Sequence, residues 1–303
     1  MDKESIKQFA KSFGLDMCGI AGIDRFATSD PGRHPHDLLP GAKSAIVIGV
    51  RLLDGVIQAN FRAFEDGNSQ AKGVYGTYGY TIIPNFLLTH ACYAIALNIE
   101  TNTGEVATPC STGPMTNGAQ ISLRHAAVAA GLGTFGWMGI VLTEKFGPRN
   151  RFGVILTTLE LEPDPMYAGP QLCDPEKCGI CTKVCPSQAM SAYGDVNPKV
   201  VDMGGKHFEY CQLDFAKCFI VEERLRKEYG GREDWVTKEN PTVQDVYEAH
   251  GRVPGDESGL QRVSSWHCGR CLSYCPAGEW GKKFKSRGLS SGSENSTKYL
   301  GQA

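Results

Sequence analysis

The 303-residue sequence predicts an α+β protein. A mixed helix-and-strand domain is expected over residues 1–164, a cysteine-rich domain over 165–285 and a polar tail over 286–303. Three observations carry this reading. Helical and buried-strand patterns alternate up to about residue 160. Two cysteine runs follow, CDPEKCGICTKVCP at 173–186 and WHCGRCLSYCP at 266–276. The closing segment, SRGLSSGSENSTKYLGQA, is too poor in apolar residues to build a core and is expected to be disordered.

Taking the elements in order, Ile6, Phe9, Ala10 and Phe13 fall at i, i+3, i+4 and i+7, so 4–14 is a helix that Gly14 stops. MCGIAGI at 17–23 is a short apolar run between turn signals, hence a buried strand. Cys18 packs there as a small hydrophobe. Residues 24–42 are rich in Pro, Asp, His and Gly and read as a loop, and AIVIGV at 45–50 is a second buried strand. Residues 53–82 read as a long polar connection in which glycines separate Tyr75, Tyr78 and Tyr80. Connections of that length are often functional. The next helix covers 84–100, with Leu88, Ala91, Cys92 and Ile95 on one face.

Residues 106–109 suit a short strand. An alanine-rich helix over 119–130 ends at Gly131, where a left-handed C-cap belongs. Gly131, Gly133 and Gly136 then spell G-x-G-x-x-G, but after a helix rather than a strand, which excludes a Rossmann nucleotide site. Residues 139–143 and 152–159 read as strands, joined by the turn KFGPRNR at 145–151.

The chemistry lies in the cysteines. Of 12 in the chain, the runs hold Cys173, Cys178, Cys181, Cys185, Cys268, Cys271 and Cys275. Each run contains C-x2-C-x3-C-P, the arrangement of two-cluster ferredoxins, where the cysteine before the proline ligates the other cluster. Two 4Fe-4S clusters need eight thiolates, and the eighth comes from Cys218 or Cys211, with Cys218 favoured. On the crossing rule one cluster takes Cys173, Cys178, Cys181 and Cys275. The other takes Cys185, Cys268, Cys271 and one of that pair. Cys173 is the least regular ligand, with four residues between it and Cys178 where two are usual. Structural zinc is the alternative. A disulfide framework is disfavoured in a chain this long with no signal-peptide layout.

Composition narrows the function classes. Hydrophobic and charged contents of 41% and 21% are those of ordinary globular domains. A net charge of −2 and a pI of 6.4 give no general field for nucleic acid. Lys282, Lys283, Lys285 and Arg287 read as a solvated helix end. No unbroken apolar run approaches the roughly 18 residues of a membrane span, and no twin arginine stands near Met1. A cytoplasmic protein with reduced thiols is expected.

On LPGAKSAIVIG, AAGLGTFGWMGIVLTEKFGPRNRFGVILT, LDFAKCFIVEE and the paired cysteine runs, the chain resembles the cobalamin- and iron–sulfur-dependent reductases, the family of epoxyqueuosine reductase and the reductive dehalogenases. The resemblance runs over residues 5–276. It implies a nitroreductase-like domain holding base-off cobalamin, then a ferredoxin-like domain with two 4Fe-4S clusters. It matches the family's lone cysteine between the runs to Cys218 and leaves Cys211 spare. Electrons would come from a ferredoxin or flavodoxin, and the corrinoid would reduce a small-molecule substrate. The family's tyrosine proton donor is matched best by Tyr78, then by Tyr80 and Tyr75. Corrinoid contacts are implied for Asn117, Arg124, Gly131, Gly133, Gly136 and Arg149.

Two departures bear on the substrate. The epoxyqueuosine enzymes carry an acidic residue before the glycine block, whereas this chain has no Asp or Glu between Val106 and Val141, and Asn117 stands nearest. Trp137 stands where both branches usually have Lys or Arg, with Arg124, Arg149 and Arg151 as replacements. The acidic pI and the lack of a helical-repeat extension disfavour tRNA as a partner. His125 reads as a helix residue rather than a cobalt ligand. Epoxyqueuosine reduction and corrinoid-free electron transfer are the alternative functions.

Overall fold

The computed structural model describes residues 1–80, 82–110, 121–253 and 268–279. Asn117, the basic group at 282–287 and the polar tail lie outside the described residues. The chain is mixed α/β. Helix α1 (Lys3–Ser12) precedes strand β1 (Met17–Gly22), and a one-turn helix α2 (Pro35–Leu38) precedes β2 (Ser44–Arg51). Helices α3 (Asp54–Glu65), α4 (Ser69–Tyr75) and α5 (Ile83–Thr103) lead to β3 (Ala107–Cys110). Then come α6 (Leu123–Ala129), the short pair β4 (Thr134–Phe135) and β5 (Val141–Leu142), and β6 (Asn150–Thr157).

One antiparallel sheet, in the order β1-β2-β6-β3, organises this half. Strand β2 shows why its sequence is an unbroken apolar run. Ala45 and Val47 pack on the face covered by α6, while Ile46, Ile48 and Val50 pack on the face covered by α1 and α5. A sheet covered on both faces has no polar side to alternate with. Cys92 is fully buried among the second set, and Gly153 opposite leaves room for its sulfur: a Cβ there would stand 2.7 Å from it.

The polar connection expected over 53–82 is instead largely helical. Val56, Ile57, Phe61 and Phe64 form a helical stripe on α3, interrupted in the sequence by Gln58, the inward-facing Asn60 and exposed Arg62. Glycines 73, 76 and 79 do not end the helical path. A π turn, Gly76–Tyr80, follows α4, and a Cβ at Gly79 would stand 2.6 Å from Val56, so the glycine permits the two segments to touch. Among the described residues, Gln70–Thr103 is long and apolar enough to cross a membrane by length and composition, and 44% of its apolar window is buried in the protein. The strand expected at 139–143 is shorter, Val141–Leu142.

The second half holds helix α7 (Ile180–Lys183), the hairpin β7 (Lys199–Met203) and β8 (Lys206–Tyr210), then helices α8 (Phe215–Glu222), α9 (Val243–Arg252) and α10 (Arg270–Tyr274). Leu52, Val56, Ile57, Phe61 and Tyr75 share a core with Val184 and Leu272, so α3 and α4 seat both cysteine runs on the sheet half. Asn60 on α3 reinforces the seat, donating to Ser273 Oγ at 2.8 Å and to the Cys268 carbonyl at 3.3 Å.

Candidate functional site

The two cysteine runs fold alike. In each, C-G-x-C places a left-handed glycine, Gly179 (φ 59°) or Gly269 (φ 61°), directly after the first cysteine and before one short helix, α7 or α10. Glycine reaches that conformation without steric cost. The turn brings Cys178 near Cys181 and Cys268 near Cys271. This C-G-x-C repeat is legible in the sequence, and reading only the cysteine spacing passes over it.

The first set of thiols comes from both runs. Cys173, Cys178, Cys181 and Cys275 line one cavity together with Gly136, Trp137, Met138 and Leu142. Burial pushes the Cys181 thiol up to about 12 and Cys275 up to about 11, and the surrounding cysteines push the same way. Cys173 is also raised by burial, against the Trp137 N–H, which points at its sulfur from 3.4 Å.

The second set is Cys185, Cys218, Cys268 and Cys271. Burial raises Cys271 well above a normal thiol, with Cys268, Cys218, Cys181 and Cys185 as charged neighbours. Cys218 is raised by burial and then by Glu222, Cys268 and Cys185. Burial takes Cys268 up to about 11, opposed by a backbone hydrogen bond and the charge of Arg270. The sulfur of Cys185 accepts the Ala189 N–H at 3.3 Å. The structure thus brings Cys173, Cys178, Cys181 and Cys275 to one cavity and sets Cys185, Cys218, Cys268 and Cys271 near one another, with Cys181 also beside Cys271. Cys211, 1% exposed, packs in the same cluster as Cys173, Cys181, Cys185, Cys271 and Cys275, with its thiol turned to the Gln212 carbonyl.

This donor set suits a polynuclear cluster. Four thiolates on one zinc ion, with Zn–S bonds near 2.3 Å, must stand about 3.8 Å apart. Among the described residues no three His, Cys, Asp or Glu converge enough to hold one metal ion. The first four cysteines line one shared cavity. Buried neutral thiols held by N–H donors are stabilised as thiolates once cationic iron is present. None of the 12 cysteines forms a disulfide.

The other candidates are placed as follows. Tyr78 lies on the π turn, 49% exposed. The side chain of Tyr80 lies outside the described residues. Tyr75, ranked last of the three, is fully buried against the second run. A Cβ at Gly269 would stand 2.0 Å from its hydroxyl, and Cys271 and Cys268 are among its charged neighbours. Its position became legible only once 69–75 was seen to be helical.

The residues expected to contact a corrinoid are engaged in protein contacts. Gly131 (φ 73°) would put a Cβ 2.1 Å from the Pro165 carbonyl oxygen, and Gly133 would put one 2.1 Å from that of Leu142. Gly136 packs on the Leu142 side chain. These glycines admit neighbouring protein segments, not a ligand. Exposed Arg124 donates to the Gly139 carbonyl at 2.7 Å. Arg149 is buried and donates to three carbonyls of the second cysteine run. Trp137 donates from its indole to the Ser191 carbonyl at 2.9 Å and so braces the first cavity instead of presenting a charge. His125 bonds Tyr210 within the core.

The tetrachloroethene reductive dehalogenase of Desulfitobacterium hafniense is 39% identical over 118 residues, 38% of this chain and 19% of that protein. The epoxyqueuosine reductase of Synechocystis sp. is 26% identical over 198 residues, 64% of this chain and 57% of that one. The chain is a homologue of both. It spans about a fifth of the length of the dehalogenases it matches. Among solved structures, the epoxyqueuosine reductase of Streptococcus thermophilus aligns over 98% of this chain and 78% of its own, at 17% identity and a TM-score of 0.48. A reductive dehalogenase, studied for B12-dependent dehalogenation, aligns over 86% of this chain and 35% of its own, at 19% identity and a TM-score of 0.48. No family model matches the chain.

Proposed function

We propose that the chain is a cytoplasmic iron–sulfur reductase that carries electrons through two 4Fe-4S clusters to a corrinoid, which reduces a small molecule. The cavity lined by Cys173, Cys178, Cys181 and Cys275 carries this reading, because it draws one ligand set from runs about 90 residues apart in sequence. Cys185, Cys218, Cys268 and Cys271 would hold the second cluster. The nearness of Cys181 to Cys271 puts the two sets side by side, the arrangement needed for electrons to pass between them. Bound clusters supply one-electron steps at low potential.

The chain's own groups give those steps their setting. The Trp137 N–H addresses the sulfur of Cys173, favouring its anionic thiolate, and the Ala189 N–H addresses the sulfur of Cys185. Tyr78, exposed at the end of the helical path from α4, is the candidate proton donor to substrate. A ferredoxin or flavodoxin is the electron donor in this reading. Gly131, Gly133, Gly136 and Arg149 pack on or bond neighbouring protein segments, so exposed Arg124 and residues not singled out from the sequence would hold it.

A second reading, epoxyqueuosine reduction on tRNA, is favoured by one observation. The epoxyqueuosine reductase match covers more of this chain than the dehalogenase match does, 64% against 38%. This weighs against the low expectation for tRNA drawn from the acidic pI, the missing carboxylate before the glycine block and the missing helical-repeat extension.

Anaerobic reconstitution with iron and sulfide, addition of hydroxocobalamin and removal of unbound corrinoid test the proposal. About eight irons per chain with a retained corrinoid spectrum supports it. Eight irons without corrinoid leaves an electron carrier, and zinc in place of iron defeats both readings. Salt-dependent binding of a tRNA stem-loop separates the second reading.

A further inference from the structure

We infer that Arg149 positions Cys275 and sets the reduction potential of the cluster that Cys275 would help to hold, an inference that rests on the two-cluster reading above. Arg149 is 2% exposed. Its Nη1 donates to the carbonyls of Leu272 (3.2 Å) and Cys275 (2.9 Å), and its Nη2 to that of Ala277 (2.7 Å). The rest of its turn grips the same segment. Gly147 (φ 57°) would place a Cβ 2.1 Å from the Ala277 carbonyl oxygen, and the Glu279 N–H donates to the Lys145 carbonyl at 2.9 Å. The turn at 145–149 belongs to the sheet half, and residues 272–279 carry Cys275 over to Cys173, Cys178 and Cys181 of the first run. Arg149 is the side chain that fastens one to the other.

A guanidinium suits this task. Its planar fork meets several carbonyls at once and keeps its charge when buried, whereas a lysine would reach them as a point charge. The charge matters separately from the hydrogen bonds. Reduction adds one electron to a cluster, and a cation in a poorly solvated setting favours the reduced state. Arg149 stands beside Cys275, and Cys275 is the first of its stabilising charged neighbours. The second set has its own charges, Arg270 beside Cys268 and Glu222 beside Cys218 and Cys268. Asp54 also faces Arg149, and the guanidinium is the cation acting on Cys275, so Arg149 would raise the potential of the cluster that Cys275 helps to hold.

The test is an EPR-monitored redox titration of the full chain, reconstituted anaerobically, as wild type, Arg149→Gln and Arg149→Lys. Cys218→Ala, which removes a ligand of the other cluster, assigns the steps. The expected result is wild-type iron content in Arg149→Gln, with the Cys275 step shifted negative by at least about 59 mV, tenfold in a one-electron equilibrium. The other step stays in place, and Arg149→Lys recovers most of the shift. Iron lost in Arg149→Gln but kept near the wild-type potential in Arg149→Lys also supports the inference. Unchanged potentials in Arg149→Gln, or equal shifts of both steps, overturn it. So does iron loss in both variants, which leaves Arg149 a purely structural brace. A wild type without two reducible clusters rejects the two-cluster reading instead, and the arms stay distinct.

Discussion

The backbone N–H of Trp137 points at the sulfur of Cys173 from 3.4 Å, while the carbonyl of the same residue accepts the N–H of Cys211 at 2.7 Å. One tryptophan thus touches two cysteines in different ways: by sulfur at Cys173, and by backbone at Cys211. Only the first contact stabilises a thiolate.

The two cysteines should therefore respond differently to removal. Cys173→Ala is expected to lose one cluster, taking iron from about eight to about four per chain. Cys211→Ala should keep all of it. Iron and acid-labile sulfide analysis after anaerobic reconstitution checks both. Full iron in Cys173→Ala would remove that residue from the ligand set, despite its place in the cavity wall.

The glycines give a second contrast. A Cβ at Gly133 would lie 2.1 Å from the Leu142 carbonyl oxygen, a backbone atom that cannot swing aside. Gly55, early in α3, has an ordinary helical backbone, and a Cβ added there would meet nothing within 4 Å. Gly133→Ala should cost about 3 kcal/mol or more through overpacking. Gly55→Ala should stabilise by about 0.5–1 kcal/mol by restricting the unfolded chain. Urea unfolding midpoints measure both, and equal midpoints would show that the β4–β5 pair yields more readily than its geometry suggests.

Much of this arrangement was legible from the chain alone. The strands at 17–23 and 45–50 announce themselves because a doubly covered sheet leaves no polar side. Cysteine spacing alone allotted Cys275 to the first run and Cys185 to the second, a consequence of how C-x3-C-P turns the chain. The helices at 54–75 were hidden because their outer faces are polar and their glycines resemble loop punctuation. That concealed Tyr75 beside the second run. The roles of Arg149, Gly131 and Gly133 were equally hidden. Each depends on a carbonyl from a distant segment (Cys275, Pro165 or Leu142), and no local pattern encodes such a contact.

His125 supplies the last prediction. Its ring Nε2 lies 3.0 Å from the Tyr210 hydroxyl, and its ring meets Phe135 edge-on at 5.2 Å. Burial first, then the charges of Arg124 and Lys199, hold its pKa down to about 4, with Asp30 opposing them. An unfolded histidine takes up its proton near pH 6.5. Between these values the unfolded chain binds a proton that the folded chain refuses, so stability falls as pH drops through that window. The loss between pH 7 and pH 5 should be roughly 2 kcal/mol. Urea unfolding at the two pH values should show this drop in the wild type and a shallower one in His125→Gln. Equal slopes for the two proteins would mean that the folded protein accepts the proton at His125 without penalty, and that the ring is more open to water than its packing against Phe135 and Tyr210 implies.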